Sequence, residues 1–295
     1  MHTLYTGGMI IIRAKSMGFC SGVRRAVQLA EQAAERSGGH PVYSLGMLVH
    51  NKTVTDMLEA RGIRLLADNE LPPPGSVVVI RSHGVPPEIV RRLRDCGASI
   101  VDATCPKVSA NHRIAANHAA AGRKILIAGD EGHGEVLGLA GHAPGAVVIP
   151  DRQTAQAWHH AGPMTLIAQT TMSQAEVDTI AAALAEHNKE LIVAGGICGA
   201  TADRQSALRA LLPLVDAVVI VGGWESANTR RLAAIAHEAG KPAWQVANAD
   251  DVAAGEVAEE LRRFERIGLS AGASTPDSDI DAVERVLMAL EKTRG

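Results

Sequence analysis

Residues 191–201 read LIVAGGICGAT: an apolar run, a glycine pair, then Cys198 in a turn that leads into a helix-like stretch, DRQSALRALLPLV. The same order of parts occurs twice more, in MIIIRAKSMGFCSG (residues 9–22, Cys20) and SIVDATCP (residues 99–106, Cys105). Those turns lead into RRAVQLAEQAAERSG and KVSANHRIAANHAAAG. In each copy a strand-like run follows and ends in polar groups: His50-Asn51, His133-Gly134-Glu135 and Ser226-Ala227-Asn228. A second run ends in His83, in Thr170-Thr171 and in Ser274. One unit stated three times, with one thiol per copy, reads as a device for placing three sulfurs around one point.

The runs VVVIRSHG (77–84), KILIAGDEGH (124–133), MTLIAQTT (164–171), ELIVAGGICG (190–199) and AVVIVGG (217–223) are short and unalternated, the pattern of parallel strands buried on both faces. Alanine-rich amphipathic stretches such as VTDMLEARG, PEIVRRLRDCG, QAEVDTIAAALAEHN and ANTRRLAAIAHEAG separate them. This alternation predicts an α/β fold of three pseudo-symmetric lobes, a trefoil, each with a mostly parallel sheet. Each third carries four strands, but the last lacks one that ends in a cysteine; the run at 9–14, leading to Cys20, supplies it. The expected borders are 21–105 for lobe 1, 106–197 for lobe 2, and 198–295 with the N-terminal strand 9–20 for lobe 3. Ligands of open parallel sheets bind beyond the carboxyl ends of strands, where nearly every polar cluster of this chain lies.

Composition narrows the function. Across 295 residues 46% are apolar but only 2% aromatic, and the formal charge is −3. A nucleic-acid surface needs a basic field and stacking platforms, so none is expected. No apolar run approaches the ~20 residues of a membrane span, and the start, MHTLYTGGMIIIRAK, is not patterned as a signal peptide. Four widely spaced cysteines do not suggest a disulfide scaffold, which points to the cytoplasm.

An isolated cysteine is usually a small core residue, and Cys96, in RDCGASI, is read that way. Cys20, Cys105 and Cys198 share a position after a strand and suit a metal centre. Structural zinc favours close pairs such as C-x2-C, which are absent, although a Cys3His site with His50 or His133 is geometrically conceivable. A cubane of four irons takes four thiolates, so three would leave one iron open as a Lewis acid. Spacing alone does not separate cluster from zinc.

The motifs around the cysteines do. GFCSGVRRAV, YSLGMLVHN, RSHGV, DATCPKV, EGHGEV, AQTT, ICGATADRQ, ESAN and AGASTPD, in that order, resemble the 4-hydroxy-3-methylbut-2-enyl diphosphate reductases from about Ile10 to Asp277. These are the last enzymes of the methylerythritol phosphate route to isoprenoids. The resemblance implies a 4Fe–4S cluster on Cys20, Cys105 and Cys198 with one iron not ligated by protein. It also implies reductive removal of an allylic hydroxyl to give isopentenyl and dimethylallyl diphosphate, with ferredoxin or flavodoxin as electron donor. His50, His83, His133, Ser226, Asn228 and Ser274 match the residues that hold the diphosphate, which needs converging donors. Glu135 matches the proton donor, and Thr170 the hydroxyl that orients or relays that proton beside the substrate. Ala227 stands where the family usually has a second serine, removing one side-chain donor. Other readings are a paralogue for a different allylic or radical substrate, a quinolinate synthase-like enzyme, and an iron–sulfur sensor. The first is suggested by Ala227; motifs for the second are not evident, and the third needs no proton donor.

Overall fold

Strands apolar on both faces require parallel partners and helices above and below them, and the runs of this chain find both in three separate sheets. The computed structural model describes residues 3–6, 9–253 and 255–290. Its strands are β1 (Thr3–Thr6), β2 (Met9–Arg13), β3 (Val42–Leu45), β4 (Ile63–Leu66), β5 (Val77–Ile80), β6 (Ser99–Asp102) and β7 (Lys124–Ala128). They continue with β8 (Val147–Ile149), β9 (Met164–Ala168), β10 (Leu191–Val193), β11 (Ala217–Val221), β12 (Ala243–Val246) and β13 (Arg266–Ala271).

Strand order is the same three times: β4-β3-β5-β6, β8-β7-β9-β10 and β12-β11-β13-β2. All pairs in these sets are parallel. In the third sheet the fourth position is filled from the N-terminus by β2, as the sequence predicts, with Ile11 level with Ile267 and Ile12 with Gly268. The short β1 was not foreseen; it runs antiparallel along β2 and extends that edge to a fifth strand.

The chain falls into two compact units. One comprises the chain up to Cys20, His50–Lys52 and the chain from Gly199 on; the other comprises Ser21–Val49 and Thr53–Cys198. The first holds the five-stranded sheet and the second both four-stranded sheets.

Side chains alternate across each strand, so every central strand serves two cores. In β11, Val219 and Val221 pack with Ile280, Val283 and Leu287, while Val218 and Ile220 pack with Leu208, Leu211 and Leu232. In β7, Leu126 and Ala128 join Leu166 and Ile180, while Ile125 and Ile127 join Val136 and Leu139. Each cysteine opens a helix: Ser21–Glu35 after Cys20, Pro106–Ala120 after Cys105 and Gly199–Leu211 after Cys198. Pro106 sits in the first helical turn, where its missing N–H costs no hydrogen bond. No helix among the described residues is long and apolar enough to cross a membrane.

His112, on the Cys105 helix, is buried and stacked on His142 with ring centroids 4.0 Å apart. Burial first, and His142 second, push its pKa down to about 4 against an opposing pull from Asp102. An unfolded histidine titrates near 6.5, so between about pH 6.5 and about pH 4 the unfolded chain binds a proton that the native chain refuses. Stability therefore falls as pH falls through that window, by at most about 3 kcal/mol from this group. Urea midpoints followed across it should decline, and His112→Leu should flatten part of the decline whatever its stability at neutral pH. An unchanged slope would remove His112 as a cause.

Candidate functional site

Parallel neighbours release their chains side by side at their carboxyl ends, so the loop after the fourth strand of each sheet runs beside the loop after the third. There each cysteine donates its amide N–H to that neighbouring loop: Cys105 to the Ser82 carbonyl (2.9 Å), Cys198 to Thr170 (3.0 Å) and Cys20 to Ala273 (3.1 Å). In all three cases the acceptor is the second residue past its strand. All three cysteines are half-buried and outside any disulfide. Cys96 is different: it ends the helix Pro87–Asp95, and its Sγ lies 3.0 Å from the Leu93 carbonyl.

The larger unit carries Cys105, Cys198, His83, His133, Glu135 and Thr170. His133 caps the helix Gly134–Gly141, its Nδ1 accepting the Glu135 N–H at 3.1 Å. That bond uses the Nδ1 lone pair and places the proton of a neutral ring on Nε2. Glu135 is thereby fixed in the first helical turn, 3% exposed, facing the loop after β9. Its Oε1 accepts the Thr170 N–H at 2.7 Å and its Oε2 the Thr170 hydroxyl at 2.8 Å. Thr170 is therefore tied to Glu135 by two bonds and to the Cys198 amide by its carbonyl. His83 and His133 meet edge to face, ring centroids 5.5 Å apart.

Two further residues that the motifs did not single out hold this arrangement. Gln169 is fully buried; its Oε1 accepts the Asp130 N–H and its Nε2 donates to the Thr171 hydroxyl, both at 2.8 Å. It fixes the loop of Glu135 against that of Thr170. Arg81 forks onto Asp68 at 2.5 and 2.8 Å and reaches the Leu45 carbonyl at 3.3 Å, anchoring the turn that carries His83. The Arg81 guanidinium holds the Asp68 carboxyl below its usual range. Both sit beside recognised motif residues, and burial, not pattern, reveals them.

The smaller unit carries Cys20, His50, Ser226, Asn228 and Ser274. Ser226 caps the helix Ala227–Glu238, its Oγ accepting the Thr229 N–H at 3.3 Å, which leaves the hydroxyl proton to donate elsewhere. Asn228 Oδ1 accepts the Ala273 N–H at 3.1 Å, and Ala273 in turn receives Cys20. Asn228 Nδ2 is buried and finds no acceptor among the described residues. Ser274 donates to the His50 carbonyl at 3.1 Å, and the His50 ring lies 3.9 Å from exposed Glu225. Ala227 is 2% exposed, one residue beyond the cap.

A family model described as LytB protein matches residues 11–288. The 4-hydroxy-3-methylbut-2-enyl diphosphate reductase of Treponema pallidum is 41% identical over 318 residues, covering 94% of this chain and 83% of that protein. Among solved structures, the E-1-hydroxy-2-methyl-but-2-enyl-4-diphosphate reductase of Plasmodium falciparum matches with a TM-score of 0.87 and 25% identity, covering 94% of this chain and 87% of that one. A structure of (E)-4-hydroxy-3-methyl-but-2-enyl diphosphate reductase, described as the terminal enzyme of the non-mevalonate pathway, matches at 0.68 and 34%, covering 95% and 99%.

Gly223 tests how tightly the smaller group is built. A Cβ there would lie 2.8 Å from the His50 carbonyl oxygen, the acceptor of Ser274, so backbone would have to move. Gly223→Ala should lower stability by about 1–3 kcal/mol. Gly255→Ala, whose Cβ meets nothing within 4 Å at a helix start, should stay within about 0.5 kcal/mol. Equal thermal midpoints for the two variants would contradict the packing at His50.

Proposed function

The chain belongs to the LytB family, the 4-hydroxy-3-methylbut-2-enyl diphosphate reductases, and on that premise we propose how its residues remove the hydroxyl group of that allylic diphosphate. The reaction consumes two electrons and two protons, releases the hydroxyl oxygen as water, and leaves isopentenyl and dimethylallyl diphosphate. The observation that carries the mechanism is the pair of hydrogen bonds from Thr170 to Glu135, made by the residue whose carbonyl anchors Cys198. A buried acid, a hydroxyl and a thiol are thereby registered to one another through a single residue.

The donor set fits an iron–sulfur cluster. Three thiols, none of them in a disulfide, occupy equivalent places in three sheets, half-buried rather than packed into a core, and each has its amide already satisfied. Cys20, Cys105 and Cys198 would hold a 4Fe–4S cluster with one iron not ligated by protein. When bound, that cluster supplies electrons one at a time and an open Lewis-acid position for the substrate hydroxyl. The electrons come from ferredoxin or flavodoxin, and the setting is the reducing cytoplasm.

The residues of the chain do the rest. His50, His83, His133, Ser226, Asn228 and Ser274 bind the diphosphate, which requires donors from several directions. The unpaired Asn228 Nδ2 supports this, since a buried amide N–H₂ without an acceptor is costly unless a ligand completes it. Hydroxide is a poor leaving group, so the substrate oxygen must be protonated as its carbon–oxygen bond breaks. When Glu135 takes up a proton on Oε2, the 2.8 Å bond to Thr170 reverses: Oε2–H donates to a lone pair of the Thr170 hydroxyl, which passes its own proton to the substrate oxygen. Glu135 is then left as a carboxylate, held by the Thr170 N–H until reprotonated.

Two outcomes follow. Anaerobically prepared protein should be brown and carry about four irons per chain. Cys20→Ser, Cys105→Ser or Cys198→Ser should lose the colour, whereas Cys96→Ser keeps it; colourless wild type with stoichiometric zinc would overturn the cluster. Glu135→Gln preserves shape but cannot deliver a proton, so turnover should fall roughly 100-fold or more while substrate still binds. Near-normal turnover in that variant would move the donor elsewhere.

A further inference from the structure

Each of the three helices opened by a cysteine sends one polar side chain to the backbone of the loop leading into the next cysteine in cyclic order. From the Cys105 helix, Asn111, 1% exposed, donates to the carbonyls of Ala168 at 3.3 Å and Gly196 at 3.4 Å. Its Oδ1 accepts the Gly196 N–H at 3.2 Å. Gly196 lies just ahead of Cys198. From the Cys198 helix, Arg204, 4% exposed, directs Nε and Nη2 to the Gly18 carbonyl at 3.2 and 2.5 Å. Its Nη1 is held on the Ala200 carbonyl at 2.7 Å. Gly18 lies just ahead of Cys20. From the Cys20 helix, exposed Arg25 reaches the Thr104 carbonyl, adjacent to Cys105, at 3.2 Å. Asn111 and Arg204 occupy the same place after their cysteines (105 to 111, 198 to 204); Ala26 holds that place in the first copy, and Arg25 is one residue earlier.

The two buried contacts answer one physical need. The loops ahead of Cys198 and Cys20 bend through glycines at positive φ, Gly195 (+70°), Gly196 (+112°) and Gly18 (+75°). A chain so bent leaves the sheet ladder, and its buried N–H and C=O groups need partners from elsewhere. A carboxamide can give and accept at once, and a guanidinium can put two donors on one oxygen. The fit is close: a Cβ on Gly195 would fall 2.7 Å from Asn111 Oδ1.

We propose that Asn111 and Arg204 are positioning residues for the iron–sulfur site. They hold the Cys198 and Cys20 loops in the ligating conformation before any metal is bound, so that cluster binding need not order them. Arg25 contributes less, because its side chain is exposed and makes one part-buried bond, whereas removing Asn111 or Arg204 strands buried backbone groups. The proposal rests on the reading of the three cysteines as cluster ligands.

The test follows iron, not turnover. Wild type, Asn111→Ala, Arg204→Met, Arg25→Ala and Arg123→Ala are reconstituted anaerobically and challenged with an iron chelator, with visible absorbance and iron per chain recorded over time. Arg123 is the control for a merely structural role. It bonds the Met164 and Glu190 carbonyls and the Thr165 hydroxyl at the amino-terminal edge of the β9–β10 pair, away from any cysteine. Asn111→Ala and Arg204→Met should lose iron roughly tenfold faster than wild type, and Arg25→Ala within about threefold of it. Arg123→Ala should retain iron like wild type even if its thermal midpoint drops. The reduced cluster's electron paramagnetic resonance spectrum should broaden in the first two variants, and Arg204→Lys should restore part of the retention. Should Asn111→Ala not fold, Asn111→Asp, which keeps the acceptor and loses both donors, serves the same comparison. Wild-type loss rates in both Asn111 and Arg204 variants, or equal acceleration by Arg123→Ala, overturn the proposal. A wild type that binds no iron overturns the ligand reading itself, and is told apart by the wild-type iron content alone.

Discussion

One hydrogen bond, made three times, sets the geometry on which the rest depends. The amide of each cysteine donates to the second residue past the neighbouring third strand: Ser82, Thr170 or Ala273. Parallel pairing brings those two loops together, so the strand order β-second, first, third, fourth fixes which loop a thiol lies beside. The residue after each acceptor is then His83, Thr171 or Ser274. Two of these are proposed diphosphate donors, and their nearness to a cysteine follows from sheet order and needs no contact of their own.

The middle sheet departs from its siblings in an instructive way. Its slot equivalent to His83 and Ser274 is Thr171, whose hydroxyl is taken by Gln169. The acceptor position, filled by Ser82 and Ala273 elsewhere, is Thr170, and its side chain turns to Glu135. The acid enters by the loop after the first strand, β7, and the hydroxyl by the loop after the third, β9. Fully buried Gln169 fixes one loop against the other. The proposed proton delivery therefore depends on a local asymmetry within a repeated scaffold, in the copy where Glu135 stands two residues past the helix cap, the place that Asn228 holds in the third.

Much of this was legible in the sequence because it is written in apolar runs and in residues of fixed chemistry. The strands, their parallel order and the borrowed β2 follow from runs such as AVVIV and from a third copy with no cysteine-ending strand of its own. Other features carry no periodic signal. The strand Thr3–Thr6 is four residues long and pairs antiparallel against an edge, which no buried-strand pattern announces. The helix Gly134–Gly141, GEVLGLAG, is weakened by three glycines and holds through its His133 cap and the packing of Val136 and Leu139. Asn111, Arg204 and Gln169 act on backbone groups or on a distant loop; Arg204 and Gln169 lie within the motifs ICGATADRQ and AQTT, but the motifs do not say what they hold.

The same economy of means explains how an alanine is accommodated at position 227. The helix Gly134–Gly141 of the larger unit and the helix Ala227–Glu238 of the smaller each begin at a residue proposed to bind the diphosphate, His133 or Ser226, and a helix amino terminus favours an anion through its N–H groups and dipole. Each cap accepts a backbone N–H through a lone pair, on Nδ1 of His133 and on the hydroxyl oxygen of Ser226. Asn228 adds an amide donor fixed by its Oδ1 bond to Ala273. A serine at 227 would contribute one donor more to a field already made by helix ends and caps. In the proposed reading its absence weakens attraction for the diphosphate, and Glu135 and Thr170 lie on other elements than the helix Ala227–Glu238. In the proposed reading the alanine at 227 therefore bears on affinity, while Glu135, its amide held by His133, keeps its place.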